Sequence, residues 1–406
     1  MTGATIDHLV SVTVFLAAIV LFIGLFNQTI QTAIIYQQHR YLASRCSDIL
    51  DTILLSPGYP INWGKTDTYP TFFGLQDPEF TQYRISPYSL MRLQSVTGTP
   101  ITYPKTGLTY SNITMGFGNF LLVPYTKAIN YSAATKLLGV NNTLGFQLTV
   151  TPIITVTITE THASNPLTAS VKVYGLGFPL SNATISYCFL KVKASQGNTP
   201  LYSSTFGTIF ADDEGEATVS FQNVASDESY VLIAYAHLQG LVGIGYHERV
   251  TSTKRYVLPL IDSFAQRRVI LAHSYDVHYG GPPESAVFFN ATFVLLTEDF
   301  TLREMPMENS TGKIGKVNYG NGQPYANLTI PTYNPGILIA TYKSNNEDGI
   351  VLMPWGMSTM AFPVTFGDKL TDKEWIVTSI RQILVNGIAY QAKLALWSFK
   401  GYSVVG

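Results

Sequence analysis

Leu9 to Phe26 is a run of eighteen residues with no charge, proline or asparagine, and few folds can accommodate it. A helix crossing the ~30 Å hydrocarbon layer of a bilayer needs about 20 apolar residues, with a lower bound near 17. A secretory signal has a shorter apolar core and a small-residue cleavage site behind it. Here Asn27-Gln28-Thr29 follows and leads into a periodic segment instead. The run therefore predicts a membrane-spanning helix that stays on the protein.

Beyond Phe26, Ile35, Leu42, Cys46, Ile49 and Ile53 recur at helical spacing, while Gln37, Arg40, Arg45, Asp48 and Asp51 fall elsewhere around the wheel. That pattern predicts one helix from about residue 5 to 55, apolar all round in its first half and amphipathic in its second. It should stop before Ser56-Pro57-Gly58. Such a shape suits a rod embedded at one end and carrying a globular head at the other.

With Gly3-Ala4 ahead of this apolar-to-amphipathic helix, the N-terminus resembles archaeal type IV pilin-like proteins. The resemblance implies processing between Gly3 and Ala4, with the apolar stretch left on the mature protein. It also gives an acidic residue near the new amine a part in helix packing, and Asp7 is the residue in that region. The sequence departs from the family in having no Lys or Arg before Gly3 and in placing Asp7 fourth from the junction. Beside the pilin-like reading stands a plainer one, in which Leu9 to Phe26 is an ordinary signal anchor and Asp7 complements the positive end of the helix dipole.

Arg40 and Arg45 follow the span and nothing basic precedes it, which alone places the remainder of the chain in the cytoplasm. Seven glycosylation acceptor sequences beyond the helix, at Asn112, Asn130, Asn141, Asn182, Asn290, Asn309 and Asn327, argue for the opposite orientation. The expected location is the cell membrane with an extracellular C-terminal ectodomain, or a surface filament. Expected partners are membrane lipid, further copies or other pilin-like subunits, and N-linked glycans.

The ectodomain reads as mainly β, in two or three sandwich-like modules behind the transmembrane and amphipathic helix. Charged residues make up only 13% of the chain, and Thr, Tyr, Val and Ile favour half-buried pleated surfaces. Net charge −1 offers no footprint for nucleic acid. Phe146, Leu148, Val150, Ile154, Val156 and Ile158 share one parity, and Pro152 should divide them between two strands or mark an edge. Alternation at Ala169-Val171-Val173, Ala183-Ile185-Tyr187, Ala217-Val219-Phe221 and Val231-Ile233-Tyr235 predicts a seven-strand sandwich.

The phrases Gly177 to Ile185 and Asp213 to Val219 resemble the immunoglobulin-like repeats of microbial surface proteins, which implies spacing or adhesion rather than catalysis. Asn386-Gly387 between apolar flanks predicts a closing hairpin, with Ile388, Tyr390, Ala392, Leu394 and Leu396 on one face and Trp397 on the other as an anchor against β structure. The expected organisation is a leader over residues 1–3, the helix over 4–55, an irregular β region over 59–150, the immunoglobulin-like sandwich over 151–254 and a C-terminal β domain over 255–406. Residues 59–150 and 255–406 are expected to pack together, with the sandwich inserted between them.

No nucleophile elbow, zinc-protease helix, P-loop or C-x-x-C pair occurs in the chain. The chain therefore reads as non-enzymatic, with no cofactor and no catalytic, cofactor-binding or metal residues. His273-Ser274-Tyr275-Asp276-Val277-His278 gathers metal-ligand types, but strand alternation separates His273 from Asp276 and His278. The segment is expected to be a partly exposed strand-to-turn passage ahead of Gly280-Gly281-Pro282. Asp212-Asp213-Glu214 lacks oxygen ligands at alternating positions and reads as a hairpin turn at Gly215. His237 and His247 flank Gly240 to Gly245, expected to link two strands. Cys46 and Cys188 can be two buried thiols or one bridge, and the sequence leaves both open. The leading expectation is a pilin-like subunit or pilin-related surface component assembling through its helix. The alternatives are a membrane-anchored, glycosylated receptor or adhesin that does not assemble, and a surface hydrolase on a β scaffold.

Overall fold

The computed structural model describes residues 2–80, 82–93, 100–115, 118–124, 126–140, 143–193, 200–250, 256–279, 286–297, 301–315, 323–344, 347–356, 363–373 and 375–399. One unbroken α-helix runs from Thr2 to Leu55. Fifty-four residues at the α-helical rise make a rod about 80 Å long. Pro57 follows closely and Gly58 takes φ 77°, so the chain leaves the helix where the sequence predicts. The rest of the described chain is mainly β.

The second half of the helix is built into this β structure. Leu42, Cys46, Ile49, Leu50, Ile53 and Leu54 are buried, and the helix lies against the strands Val377–Val385 and Ile388–Ser398. These two strands form the predicted hairpin. Asn386 (φ 49°) and Gly387 (φ 80°) both take the left-handed conformation, which is what a two-residue turn matching the strand twist requires. The hairpin belongs to a four-stranded antiparallel sheet in the order Val364–Gly367, Leu144–Pro152, Ile388–Ser398, Val377–Val385. Chain segments far apart in sequence thus make one platform for the helix. Trp397 is buried against Gly145, where an added Cβ would come within 2.5 Å of the indole.

Strand Leu144–Pro152 ends at Pro152, and the chain re-enters a strand at Ile154 in a different sheet. From there to Arg249 seven strands and a two-residue addition, Phe178–Pro179, form a sandwich. One sheet has the order Glu216–Phe221, Leu167–Gly175, Ile154–His162; the other has Leu241–Arg249, Tyr230–Leu238, Thr184–Lys193, Leu201–Phe210. Ala169, Val171, Val173, Ile185, Val219 and Phe221 meet between the sheets, as the alternation predicts.

Val231, Ile233 and Tyr235 depart from that pattern. They face away from the sandwich interior into the main core, and it is Tyr230, Leu232, Ala234 and Ala236 that face inward. The strand is apolar on both faces because the sheet is sandwiched twice. Residues Gly240 to Gly245 also differ from the expected link. Only Gln239 and Gly240 turn, with φ 50° and 82°, while Gly243 and Gly245 lie within strand Leu241–Arg249. A Cβ on either would strike Ile154 or Val156 at 2.3–2.4 Å, so these glycines let strand Ile154–His162 cross closely.

The remaining chain forms a three-stranded sheet (Val257–Ser263, Arg268–His273, Tyr325–Thr329), a five-stranded sheet around Ala286–Leu296 and Gly336–Ser344, and a small sheet from Ile101 to Pro124. Two short α-helices and a 3-10 turn at Trp63–Lys65 interrupt the described part of residues 59–150. Ser86 and Asn130 cap Pro87–Met91 and Tyr131–Leu137 by accepting hydrogen bonds from the Ser89 and Ala133 amides at 3.3 and 2.9 Å. Pro87 stands in the first turn of its helix, where its missing N–H costs nothing.

Candidate functional site

The feature that sets this molecule apart is the free half of its helix. Ile6 to Phe26 present large apolar side chains on every side, with Val10, Phe15, Leu21 and Phe22 each more than half exposed. Within the described residues, none of this stretch is buried by the protein's own chain. Apolar patches on soluble monomers seldom exceed a few hundred Å2, so a surface of this extent calls for a covering medium. Exposure does not end with the apolar run. Ile30, Ile34, Tyr36 and Tyr41 are also exposed, the two tyrosines at about 70%. The sparse hydroxyls fold back on the helix: Ser11, Thr13, Thr29 and Thr32 each donate to the carbonyl four residues earlier, at 2.7–2.9 Å. Such back-bonding lets a polar side chain sit in an apolar surrounding.

Where the helix meets the head, charge is used as well as packing. Arg381, on strand Val377–Val385, donates from Nε and Nη2 to the two carboxylate oxygens of Asp51, each at 2.9 Å, and from Nη2 to Ser47 Oγ at 2.8 Å. This two-pronged bond fixes helix rotation against the sheet as well as depth. Next to it, Cys46 Sγ donates to the Leu394 carbonyl at 3.4 Å. Burial pushes the Cys46 thiol up to about 11, outweighing the lowering by the Ser379 amide and Arg381, and pushes Cys188 up to about 12. Both cysteines are free and buried, so they serve as core residues and not as nucleophiles.

Asp7 is exposed on the free half of the helix. Gly3 and Ala4 lie in its first turns, and their side chains fall outside the description. Among the sequon asparagines, Asn130, Asn182, Asn309 and Asn327 are exposed and Asn290 is half-buried. The Asn112 side chain and all of Asn141 lie outside the described residues. Asn130 uses Oδ1 for its capping bond, which leaves Nδ2 available for attachment.

The segment after His273 is not the exposed strand-to-turn passage expected. The strand ends at His273 and Ser274–Tyr279 turns into a short helix, with His273 and Asp276 both buried. Helical geometry replaces alternation because Asp276 is drawn inward to accept a 2.7 Å hydrogen bond from Tyr103 Oη. His273 Nδ1 accepts from the Tyr275 amide at 3.2 Å, and burial holds its pKa below the ordinary value against the pull of Asp276. The His278 side chain and Gly280-Gly281-Pro282 lie outside the described residues. Among those described, no group of three or more His, Cys, Asp or Glu side chains is placed to hold a metal. Asp212 Oδ1 accepts from the Glu214 and Glu216 amides at 2.9 and 2.8 Å, which makes it a turn cap.

A cleft of about 220 Å3 lies between Lys65, Asp77, Glu79, Arg84, Tyr333 and the hairpin tip at Asn386 and Gly387. That is below the usual range for small-molecule pockets, about 300–1,000 Å3. Glu79 is paired with Lys65 at 2.9 Å, Asp77 caps the Glu79 amide at 3.1 Å, and Arg84 stacks on Phe80 at 4.4 Å. Its two carboxylates are thus engaged in a surface ion pair and a turn. Arg92, which sequence reasoning did not single out, is fully buried and donates to the carbonyls of Trp63, Thr66, Thr68 and Lys127. It ties the irregular segment after the helix to the core, and burial lowers its pKa to about 10 although Asp67 opposes this.

No protein-family model matches the sequence, and no curated protein does. Among solved structures, the D0-D1 domain of intimin is similar at 18% identity, with 54% of this chain and 98% of that chain covered and a TM-score of 0.20. Native E. coli alpha-2-macroglobulin is similar at 12% identity, covering 57% of this chain and 18% of that one, with a TM-score of 0.22. The BSP domain of a biofilm associated protein is similar at 14% identity, covering 52% and 30%, with a TM-score of 0.14. Likenesses of this size carry no functional argument.

Proposed function

We propose that this chain is a non-enzymatic, pilin-like surface subunit, held and assembled through the free half of its N-terminal helix and displaying the β head outward. The observation that carries this reading is the length of exposed helix, apolar on every side to Phe26 and mixed with polar residues beyond it. From Ile6 to Tyr41 it extends about 54 Å at the α-helical rise, against ~30 Å of bilayer hydrocarbon. A bilayer covers Leu9 to Phe26, but Ile30, Ile34, Tyr36 and Tyr41 would remain uncovered between it and the head. Neighbouring helices of the same kind cover both parts. In this reading Gly3-Ala4 is the processing junction, and Asp7 offsets the new amine of an adjoining subunit.

The second reading is an anchored receptor or adhesin that stays single, and the exposure of Asn130, Asn182, Asn309 and Asn327 suits a glycosylated ectodomain in either case. Asp7→Asn separates the two. A charge beside an exposed helix N-terminus is worth about 0.3–1 kcal/mol, so a single anchor tolerates its loss. A carboxylate paired with a partly desolvated amine inside a bundle costs several-fold more to remove. Surface-filament yield is measured for wild type and Asp7→Asn at matched membrane abundance. The assembly reading expects filaments from wild type and few from the variant. Equal yields refute the role of Asp7, and no filaments from wild type favour the single anchor.

A further inference from the structure

We infer that strand Leu201–Phe210 is a homophilic contact, pairing edge to edge with the same strand of a second copy. It is the outermost strand of its sheet, bonded on one side to Thr184–Lys193 through ten successive residue pairs with no register shift. Its other side carries no strand among the described residues. Natural proteins protect such edges with charge, proline, bulges or a covering segment. Leu-Tyr-Ser-Ser-Thr-Phe-Gly-Thr-Ile-Phe has no charge, proline or bulge.

Other long edges of the described sheets are protected, and Gly118–Pro124 and Val257–Ser263 lie against one another. Ile154–His162 lies against Leu241–Arg249 and is bulged between Glu160 and His162. Val377–Val385 carries Arg381, and its end is bonded to residues 83–85. Glu347–Trp355 holds two acids and Pro354. Among these edges only Leu201–Phe210 is long, regular and uncharged; its start is held against the head, where half-buried Tyr202 donates to Glu304, and Ser203 to Phe206 are exposed.

Its side chains identify the occupant. Tyr202, Ser204, Phe206, Thr208 and Phe210 share one face, and Phe206 and Phe210 are 48% and 67% exposed. A two-fold axis normal to the sheet pairs antiparallel strands about a residue that meets itself. Centred on Phe206, that axis sets Phe206 opposite Phe206, Ser204 opposite Thr208 and Tyr202 opposite Phe210. One face then carries three aromatic cross-strand pairs, among the more favourable kinds, with hydroxyls between them. The two four-stranded sheets become one of eight. A contact of this size is weak for one pair of molecules, and its effect grows where many copies are held close together. The inference does not depend on the helix assembling.

The test uses the purified full chain in detergent, with cysteines placed on the strand and a thiol oxidant; Cys46 and Cys188 are buried and do not compete. Opposed residues across antiparallel strands have Cα atoms about 4.5–5.5 Å apart, within disulfide reach. Phe206→Cys should form a covalent dimer, and Phe210→Cys, displaced along the strand from its own copy, should not. Ser204→Cys mixed with Thr208→Cys should also give dimers, while either alone gives none; this arm leaves Phe206 in place. Phe206→Lys, introduced into both partners of that mixture, sets like charges opposite one another and should abolish the dimer. Equal yields at positions 206 and 210, or no dimer from any of them, overturn the inference.

Discussion

The two halves of the N-terminal helix are both rich in apolar residues, yet one is uncovered on every side and the other is sealed into the head. Composition separates them in part, since Arg45, Asp48 and Asp51 all lie in the sealed half, and angular distribution completes the distinction. From Leu9 to Phe26 the apolar side chains surround the helix, so no single sheet can bury them. From Leu42 to Leu54 they form one stripe, and Asp51 on its flank reaches Arg381. A stripe selects a packed partner of matching shape, whereas an all-round apolar surface selects a solvent. The uncovered half is therefore the part of the molecule defined by its surroundings.

That contrast predicts opposite outcomes for one kind of substitution. Leu50→Ala removes a side chain buried at 0% exposure, and buried Leu→Ala changes cost about 2–5 kcal/mol through lost transfer energy and the cavity left behind. Leu16→Ala on the free half should leave ectodomain stability unchanged within about 0.5 kcal/mol. Denaturant unfolding of the full chain in detergent, followed by tryptophan fluorescence, measures both, since Trp63, Trp355 and Trp397 all lie in the head. Equal effects would mean that the halves do not differ as described.

A smaller effect is expected at the junction. The Asp51 and Arg381 side chains are about one third exposed, so water screens their pairing, and such pairs contribute about 0.2–1 kcal/mol. Asp51→Asn should lower head stability within that range, and the loss should vanish in an Arg381→Met background. A double-mutant cycle reads the coupling directly, and a loss that persists without Arg381 would show that Asp51 acts through other contacts.

How far the sequence foretells this structure depends on whether the determining contact is local. The helix, its end at Ser56-Pro57-Gly58, the Asn386-Gly387 turn and most sandwich strands follow from spacing within a few residues. Strand Tyr230–Leu238 reads as alternating only if one face is assumed to be solvated, and here both are buried. Gly243 and Gly245 look like linker residues until strand Ile154–His162 is known to cross them. Arg92 satisfies carbonyls from two separate segments, residues 63–68 and Lys127, and nothing near it in sequence marks it as buried. The end of the strand at His273 likewise depends on Tyr103, which is distant in the chain. Asp7 and the sequons are legible as residues, and the roles proposed for them depend on partners outside this chain.

Residues ahead of the helix–head junction should attach the molecule and contribute nothing to the fold of the head. Removing residues 1–30 and comparing the truncated and full chains by membrane partition and by the unfolding midpoint of the head tests both parts at once. The full chain should stay with membranes or sheared filaments, the truncated chain should be soluble, and their midpoints should coincide. A full chain found in the soluble fraction, or a truncated chain whose head unfolds at a lower midpoint, would contradict it.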